Sequence, residues 1–195
     1  EALNALHDGL TDEILEVIRA HEADPAVAGF VITGYGTKAF SAGADIGRFP
    51  AMLGDATASA QYARDCSRLL VHLDRMDKPV VAALNGMALG GGLELAMRCH
   101  SLLAVRDAFL QFPEVTLGIV PGIGAMVVPY RRWPQAATVF HGMLRRGERL
   151  KAPRALELGV LDGVADDVTA LVAAAVARVK ALAAAGVPRP AEGPI

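Results

Sequence analysis

Cysteine is scarce in this sequence, and its two copies are poorly placed for chemistry. Cys66 and Cys99 lie far apart without a CxxC pair, which argues against a zinc ribbon and against a disulfide-stapled scaffold. We therefore expect a protein of a reducing compartment, the cytoplasm. The five histidines show no metal-ligand spacing, so no metal site is predicted.

Long apolar runs and an excess of one charge are absent as well. No uninterrupted apolar run reaches the roughly 18 residues needed to cross a bilayer. The 19 basic and 21 acidic side chains leave a net charge of −2, which provides no general attraction to nucleic acid or to an anionic membrane. Because the sequence starts at Glu1 without a Met or a leader, we expect a chain that was excised or trimmed.

Strand and helix patterns alternate along the chain. The 195 residues, 53% of them hydrophobic, predict one α/β domain over 1–195, with a linker or tail at 186–195. Asp8 or Thr11 is placed to cap the first helix, and the continuous apolar run at 79–84 is typical of a strand buried on both faces. Further helices are predicted over 58–76, 92–98, 134–140 and 168–185, and strands over 27–33, 79–84, 102–105 and 109–112. No internal repeat stands out.

Two glycine clusters follow predicted strands. Gly34 and Gly36 mimic the turn of a dinucleotide-binding fold, but no helix follows them directly and no strand about 20 residues on ends in an acid. The cluster at 90–92 lies between a buried strand and a short helix. Amides at a helix start are unpaired within the helix and lie at the positive end of its dipole, so they favour a developing negative charge. Tight packing of the helix on the strand is the alternative reason for three glycines.

Glu94 and Glu114 are the candidate acid–base residues. Glu94 lies three residues after Gly91 on the same helix face, and its place in the first helical turn favours the ionised form, which suits a general base. Glu114 follows a strand among apolar residues, whose desolvation raises a carboxyl pKa and suits a proton donor. Taken singly, each has a plainer explanation, as a glutamate that complements the helix dipole or as an exposed loop residue. Two carboxyls in opposed environments indicate divided roles.

A second turn of small residues, at 41–45, offers backbone N–H groups that could serve the same oxyanion. Together with these features, three blocks of sequence resemble the crotonase, or enoyl-CoA hydratase/isomerase, family in order and spacing. They are AFSAGADI at 39–46, KPVVAALNGMALGGGLELA at 78–96 and FPEVTLGIVPG at 112–122.

The resemblance implies a spiral of ββα units with C-terminal helices, here apparently truncated at both ends. It implies an acyl-CoA thioester as substrate, with no cofactor besides it, and a homotrimer or hexamer. By the same resemblance the thioester oxygen is held by the amides of Ala44 and Gly91, while Glu94 activates water and Glu114 protonates the substrate. The residues that match the segment along coenzyme A are Ala42, Asp45, Ile46 and Gly47.

The expected reaction is the reversible hydration of a trans-2-enoyl-CoA to a 3-hydroxyacyl-CoA. A double-bond isomerase of the same family, which needs one acid–base group and no water, is the alternative, and a non-catalytic acyl-CoA-binding domain is another. The stretch at 125–133 departs from the usual family pattern. It looks more like the hydratase domain that is fused to a 3-hydroxyacyl-CoA dehydrogenase.

Overall fold

The computed structural model describes residues 3–47, 50 and 54–187, and in them two four-stranded sheets are surrounded by helices. The strands are β1 Phe30–Thr33, β2 Ala39–Ser41, β3 Val80–Leu84, β4 Met87–Leu89, β5 Ser101–Val105, β6 Phe109–Gln111, β7 Arg149–Lys151 and β8 Gly163–Ala165. The helices are α1 Asp8–His21, α2 Ala56–Leu73, α3 Gly91–Arg98, α4 Val128–Arg132, α5 Ala137–Arg146, α6 Ala152–Glu157 and α7 Val168–Ala185. Short 3₁₀ turns cover Glu114–Leu117 and Pro134–Ala136.

From β1 to β6, consecutive strands belong alternately to the two sheets. The first sheet has the order β1-β3-β5-β8 and is parallel, and the second has the order β2-β4-β6-β7, with β7 antiparallel to β6. Each of the units β1-β2-α2 and β3-β4-α3 is a pair of strands followed by a helix, and β5-β6 is followed by a 3₁₀ turn. The chain is therefore a spiral of ββα units with helices at its C-terminal end, as expected. The repeat is structural, and it leaves no visible trace in the sequence.

Strand β3 lies at the centre of the fold. All of its residues are buried. Val80, Ala82 and Leu84 contribute to the core that includes residues of α1, α2 and α3, whereas Val81 and Ala83 pack with residues of α7. The apolar run at 79–84 thus reflects burial on both faces, as the sequence predicted, and it leads directly into β4 and the glycine turn at 90–92.

Several element bounds differ from the sequence prediction. β1 starts at Phe30 rather than at 27, α2 covers Ala56–Leu73 rather than 58–76, and the helix predicted over 134–140 is a 3₁₀ turn followed by α5. Residues Ala39–Ser41 form β2, which the sequence did not predict, because their backbone pairs with β4; the predicted turn at 41–45 follows it. Of the predicted tail, 188–195 lies outside the described residues.

The cap of α1 also differs from the prediction. His7 is the N-cap residue, and its Nδ1 accepts a hydrogen bond of 3.2 Å from the backbone N–H of Leu10. Asp8 is instead the first residue of the helix, and the Thr11 hydroxyl donates to the Asp8 carbonyl at 2.9 Å. The two predicted caps, Asp8 and Thr11, therefore lie one and four residues after the actual N-cap residue, His7.

Helix α7 combines a buried face with an apolar outer face. Its 18 residues have a mean hydropathy of 1.8, so by length and composition alone it could cross a membrane; Arg178 and Lys180 interrupt the apolar run. Leu171, Ala175, Val179 and Leu182 are buried in the cluster that includes β3 residues. This face gives α7 the packing of a helix that covers a sheet.

Candidate active site

The two turns that the sequence singled out, 41–45 and 90–92, lie against each other. A Cβ placed on Gly91 would be 3.6 Å from the amide nitrogen of Ala44. A Cβ placed on Gly43 would be 3.5 Å from the amide nitrogen of Gly91 and 2.9 Å from the carbonyl oxygen of Leu89. The turns approach this closely because β2 and β4, which lead into them, are parallel neighbours in the second sheet.

The amides of Ala44 and Gly91 are both available to a ligand. Within the described residues, neither N–H donates a hydrogen bond to a protein acceptor. Gly91 is the first residue of α3, where an amide has no partner inside the helix. Two neighbouring free N–H groups are the arrangement that stabilises an oxyanion. The structure therefore brings together the two amides that the sequence analysis had selected.

The N-terminal segment holds the 41–45 turn in place. Leu6 forms an isolated parallel bridge with Ala44: its N–H donates to the Gly43 carbonyl at 2.7 Å, and its carbonyl accepts from Asp45 N–H at 2.9 Å. These two bonds leave the Ala44 N–H pointing away from the bridge. The sequence analysis assigned no role to Leu6.

Glu94 is buried in the first turn of α3 and receives two backbone hydrogen bonds. Its Oε1 accepts from the N–H of Ile123 at 3.0 Å and from that of Ala125 at 2.8 Å. Burial raises the pKa of the carboxyl, while these amides, the amide of Gly124 and the charge of Arg98 act in the opposite direction. Desolvation of this buried carboxyl therefore outweighs the groups that favour its ionised form, which the sequence analysis expected at the helix start.

Glu114 lies at the start of the 3₁₀ turn that follows β6, and it is also buried. Burial, together with the charge of Glu94, raises its pKa to about 7. Its Oε2 is buried without a hydrogen-bond partner among the described residues. The raised pKa confirms what the apolar neighbours in the sequence indicated.

The two carboxyls thus differ in degree rather than in direction. Both pKa values are raised by burial, so the expectation of opposed environments is wrong. Their hydrogen bonding separates the two groups, since the amides of Ile123 and Ala125 stabilise the charge of Glu94. The Glu114 carboxyl is stabilised by its own backbone amide, and its Oε2 has no donor among the described residues. Glu94 is therefore the more readily ionised carboxyl, and Glu114 is the one that holds a proton near neutral pH.

One cavity of about 390 Å³ contains both carboxyls and both amide turns. Ala44, Gly91, Glu94 and Glu114 all line it. Of the residues predicted along coenzyme A, Ala42 and Ile46 also line it. Asp45 and Gly47 are not among the lining residues; the Asp45 carboxylate accepts a hydrogen bond of 3.1 Å from the Gly47 amide and so closes its own turn.

Other walls of the cavity come from residues that sequence reasoning missed. Helix α2 contributes Tyr62, Cys66 and Leu70, which are spaced for one helix face. The segment after Glu114 contributes the apolar side chains of Leu117, Ile119 and Val120. The helical spacing on α2 was visible in the sequence, but nothing there indicated that this face would meet the glycine turns. Within the described parts of the chain, no group of His, Cys, Asp and Glu is arranged to hold a metal ion.

Comparison with known proteins places this site in a family. The sequence pattern of the family described as enoyl-CoA hydratase/isomerase matches residues 1–188. The chain belongs to this family. It is 37% identical over 183 residues to a probable enoyl-CoA hydratase of Bacillus subtilis, a match that covers 93% of this chain and 67% of that protein. The crystal structure of an enoyl-CoA hydratase from Polaromonas matches 94% of this chain and 70% of that one, at 29% identity and with a TM-score of 0.85.

The matches cover only part of some relatives. The chain spans 54% of the length of the mitochondrial enoyl-CoA hydratase of Pongo abelii, to which it is 37% identical over 164 residues, and the match covers 84% of this chain. It spans 21% of the peroxisomal bifunctional enzyme of Cavia porcellus, at 39% identity over 83% of this chain. These matches show the enzyme family to which the chain belongs, and they do not fix the reaction that it catalyses.

Proposed function

We propose that this chain catalyses the reversible addition of water to a trans-2-enoyl-CoA, giving a 3-hydroxyacyl-CoA. The observation that carries the proposal is that two free amides and two buried carboxyls of unequal proton affinity line a single cavity. The amides of Ala44 and Gly91 would bind the thioester oxygen more strongly as it gains enolate charge, which lowers the barrier.

In the proposed reaction the two glutamates have complementary roles. Glu94, held by amides that favour its ionised form, takes a proton from water as the oxygen of that water bonds to Cβ. Glu114, protonated near neutral pH, delivers a proton to Cα, so that the C=C double bond becomes a single bond. The site uses no cofactor in this scheme, because coenzyme A is part of the substrate.

Substitution of each glutamate by glutamine tests the mechanism. We expect Glu94→Gln and Glu114→Gln each to lower the kcat for hydration of crotonyl-CoA by at least about 100-fold, the usual scale for a general acid or base. Glu157→Gln is the matched control, because Glu157 is exposed and pairs with Arg154 on α6. A folded Glu94 or Glu114 variant with near wild-type turnover contradicts the two-carboxylate mechanism.

The alternative within the family is a double-bond isomerase, which shifts a 3-enoyl-CoA to a 2-enoyl-CoA with one acid–base group. The second buried carboxyl supports hydration instead, since an isomerase leaves it without a role. Assays with 2-enoyl-CoA and 3-enoyl-CoA substrates distinguish the two. A non-catalytic acyl-CoA-binding domain predicts affinity for the thioester without turnover of either substrate.

The proposed partners are further copies of this chain, as a homotrimer or hexamer, or a fused 3-hydroxyacyl-CoA dehydrogenase domain. Support for a partner comes from apolar side chains at the surface, among them Val120, Met126, Val172 and Val176. Support for a fusion comes from relatives that this chain matches over only 21% of their length. Light scattering of the purified chain gives its oligomeric state. We propose a cytoplasmic location and no nucleic-acid partner.

A further inference from the structure

Arg98 lies at the end of α3, four residues after Glu94, and both side chains reach the same loop. Because residues at this spacing share a helix face, Arg98 is one helical turn beyond the carboxyl. Its Nη2 donates to the carbonyl oxygen of Ile123 at 3.3 Å, while the amide of the same Ile123 donates to Glu94. One peptide segment is thus held from both sides.

The backbone of the 122–125 loop has a conformation that depends on a glycine and on the contact with Arg98. Gly124 has a φ of +146°, a conformation that side chains other than glycine rarely adopt. A Cβ on Gly124 would lie 2.8 Å from Arg98 Nη2 and 3.4 Å from Nε, so the guanidinium packs directly on the glycine backbone. The loop therefore lies between the Arg98 guanidinium and the Glu94 carboxylate, to which its amides donate.

A second contact fixes the guanidinium itself. Arg98 Nη1 donates to the carboxylate of Asp74, the C-cap residue of α2. The side chains are only 20% and 33% exposed, so the pair is shielded from water more than a surface ion pair is. Asp74 thereby holds Arg98 against the loop, and α2 is tied to the end of α3.

We propose that Arg98 is a positioning residue for Glu94: it holds the 122–125 loop so that two amides of the loop bind the Glu94 carboxylate. The inference rests on the proposed function, in which Glu94 is the base. It adds a residue that touches neither the substrate nor the reacting atoms. Neither the composition nor the motifs of the sequence singled out Arg98.

The charged and titratable groups around Glu94 set the direction of the expected pH effect. They are Arg98 on the same helix, Glu114 from the facing 3₁₀ turn, and Tyr62 and Cys66 of α2 in the same cavity wall. Among them only Arg98 is a cation. Its removal takes away positive charge and loosens the amide donors, and both changes raise the pKa of Glu94.

The test compares Arg98→Met, Arg98→Lys and Arg106→Met with the wild type in the hydration of crotonyl-CoA across pH. For Arg98→Met we expect kcat to fall about tenfold, because small misplacements of a catalytic group are costly, with KM within about twofold. The acid limb of the profile, which reports ionisation of Glu94, should move to higher pH by up to about one unit. Arg98→Lys keeps the positive charge, so its acid limb should stay at the wild-type pH. This variant remains informative if Arg98→Met folds poorly.

Arg106→Met is the control, because Arg106 pairs with Asp166 just beyond the end of β5 and should behave as the wild type. A folded Arg98→Met variant with the wild-type acid limb overturns the inference. If the wild type does not hydrate crotonyl-CoA, the proposed function fails instead. In that event NMR titration of the Glu94 carboxyl, assigned with Glu94→Gln, still decides the inference, since an equal pKa in wild type and Arg98→Met contradicts it.

Discussion

Two glycine turns in this chain have similar composition but differ in how far the protein itself hydrogen-bonds their backbone groups. In the turn at 34–36 the Asn85 side chain accepts from Gly34 N–H at 3.0 Å and donates to the carbonyls of Gly34 and Gly36 at 3.0 and 2.8 Å. In the turn at 90–92 the Gly91 N–H has no partner among the described residues, and Gly91 lines a cavity. A glycine turn is thus available to a ligand only where the protein has not already used its amides.

The element that comes after each turn explains the difference. A strand, β2, comes after the first turn, so its backbone continues into a sheet. Helix α3 comes after the second, and the first amides of a helix have no partner inside it. The departure from the dinucleotide pattern at Gly34 and Gly36, visible in the sequence, is therefore confirmed by a strand where that pattern requires a helix.

The largest expected effect concerns the turn at 90–92, here called the open turn because the Gly91 amide has no partner among the described residues. In Gly91→Ala the new methyl group would lie in ordinary contact with its neighbours, 3.6 Å from Ala44 N, so the fold should tolerate it. It would occupy part of the space between the two amides, and we expect kcat for crotonyl-CoA hydration to fall about 100- to 1,000-fold, as when an oxyanion donor is lost. Retention of wild-type kcat by the folded variant means that the thioester oxygen does not bind in the space that the new methyl group occupies.

The turn at 34–36, here called the closed turn because Asn85 binds its backbone, should matter for stability rather than for activity. Asn85 is fully buried, and Asn85→Ala leaves backbone groups of the turn without their partners, so we expect a loss of about 2–4 kcal/mol in the free energy of unfolding. Urea unfolding measures this loss. The kcat of the folded fraction should stay near the wild-type value, and a large fall in kcat would remove the distinction between the turns.

The open turn also borders Glu114, since a Cβ on Gly90 would lie 2.5 Å from its Oε1. The pKa of Glu114 is raised from 4.5 to about 7, so the folded state holds this proton more tightly than the unfolded chain. Its contribution to stability is therefore complete below about pH 4.5 and is lost as the pH rises through about 7.

Relative to the wild type, Glu114→Gln should gain about 1–2 kcal/mol of unfolding free energy between about pH 5 and about pH 8, after allowance for solvent screening. Urea unfolding of both proteins at the two pH values checks this. An equal difference at both pH values indicates that the Glu114 carboxyl is not desolvated in solution. Glu157→Gln should show no such trend.

The smallest effect is expected at Gly36. Its φ is +82°, and a Cβ there would meet nothing within 4 Å. Gly36→Ala should therefore cost only the strain of a left-handed backbone, about 1 kcal/mol, with unchanged kcat. Thermal unfolding detects the change, and any effect on turnover would show that the closed turn communicates with the cavity.

The sequence predicted the residues of the cavity better than it predicted the chain path. Glu94, Glu114 and the amides of Ala44 and Gly91 were identified from local patterns and resemblance, and the structure brings them into one cavity. Strand β2 was missed, because three residues are too short for an alternation to be visible. The cap at His7 was missed because histidine is an uncommon N-cap residue.

The sequence by itself determined the α/β class, the strand that is buried on both faces and the residue types of the site, since these depend on hydrophobic pattern and on local turn chemistry. Only the tertiary structure decided that Ile123 and Ala125 bind Glu94, that Leu6 orients the Ala44 turn and that burial raises the pKa of Glu94. These features join residues that are distant in the chain, or depend on how much water the packed neighbours exclude. Neither quantity is encoded in a local stretch of sequence.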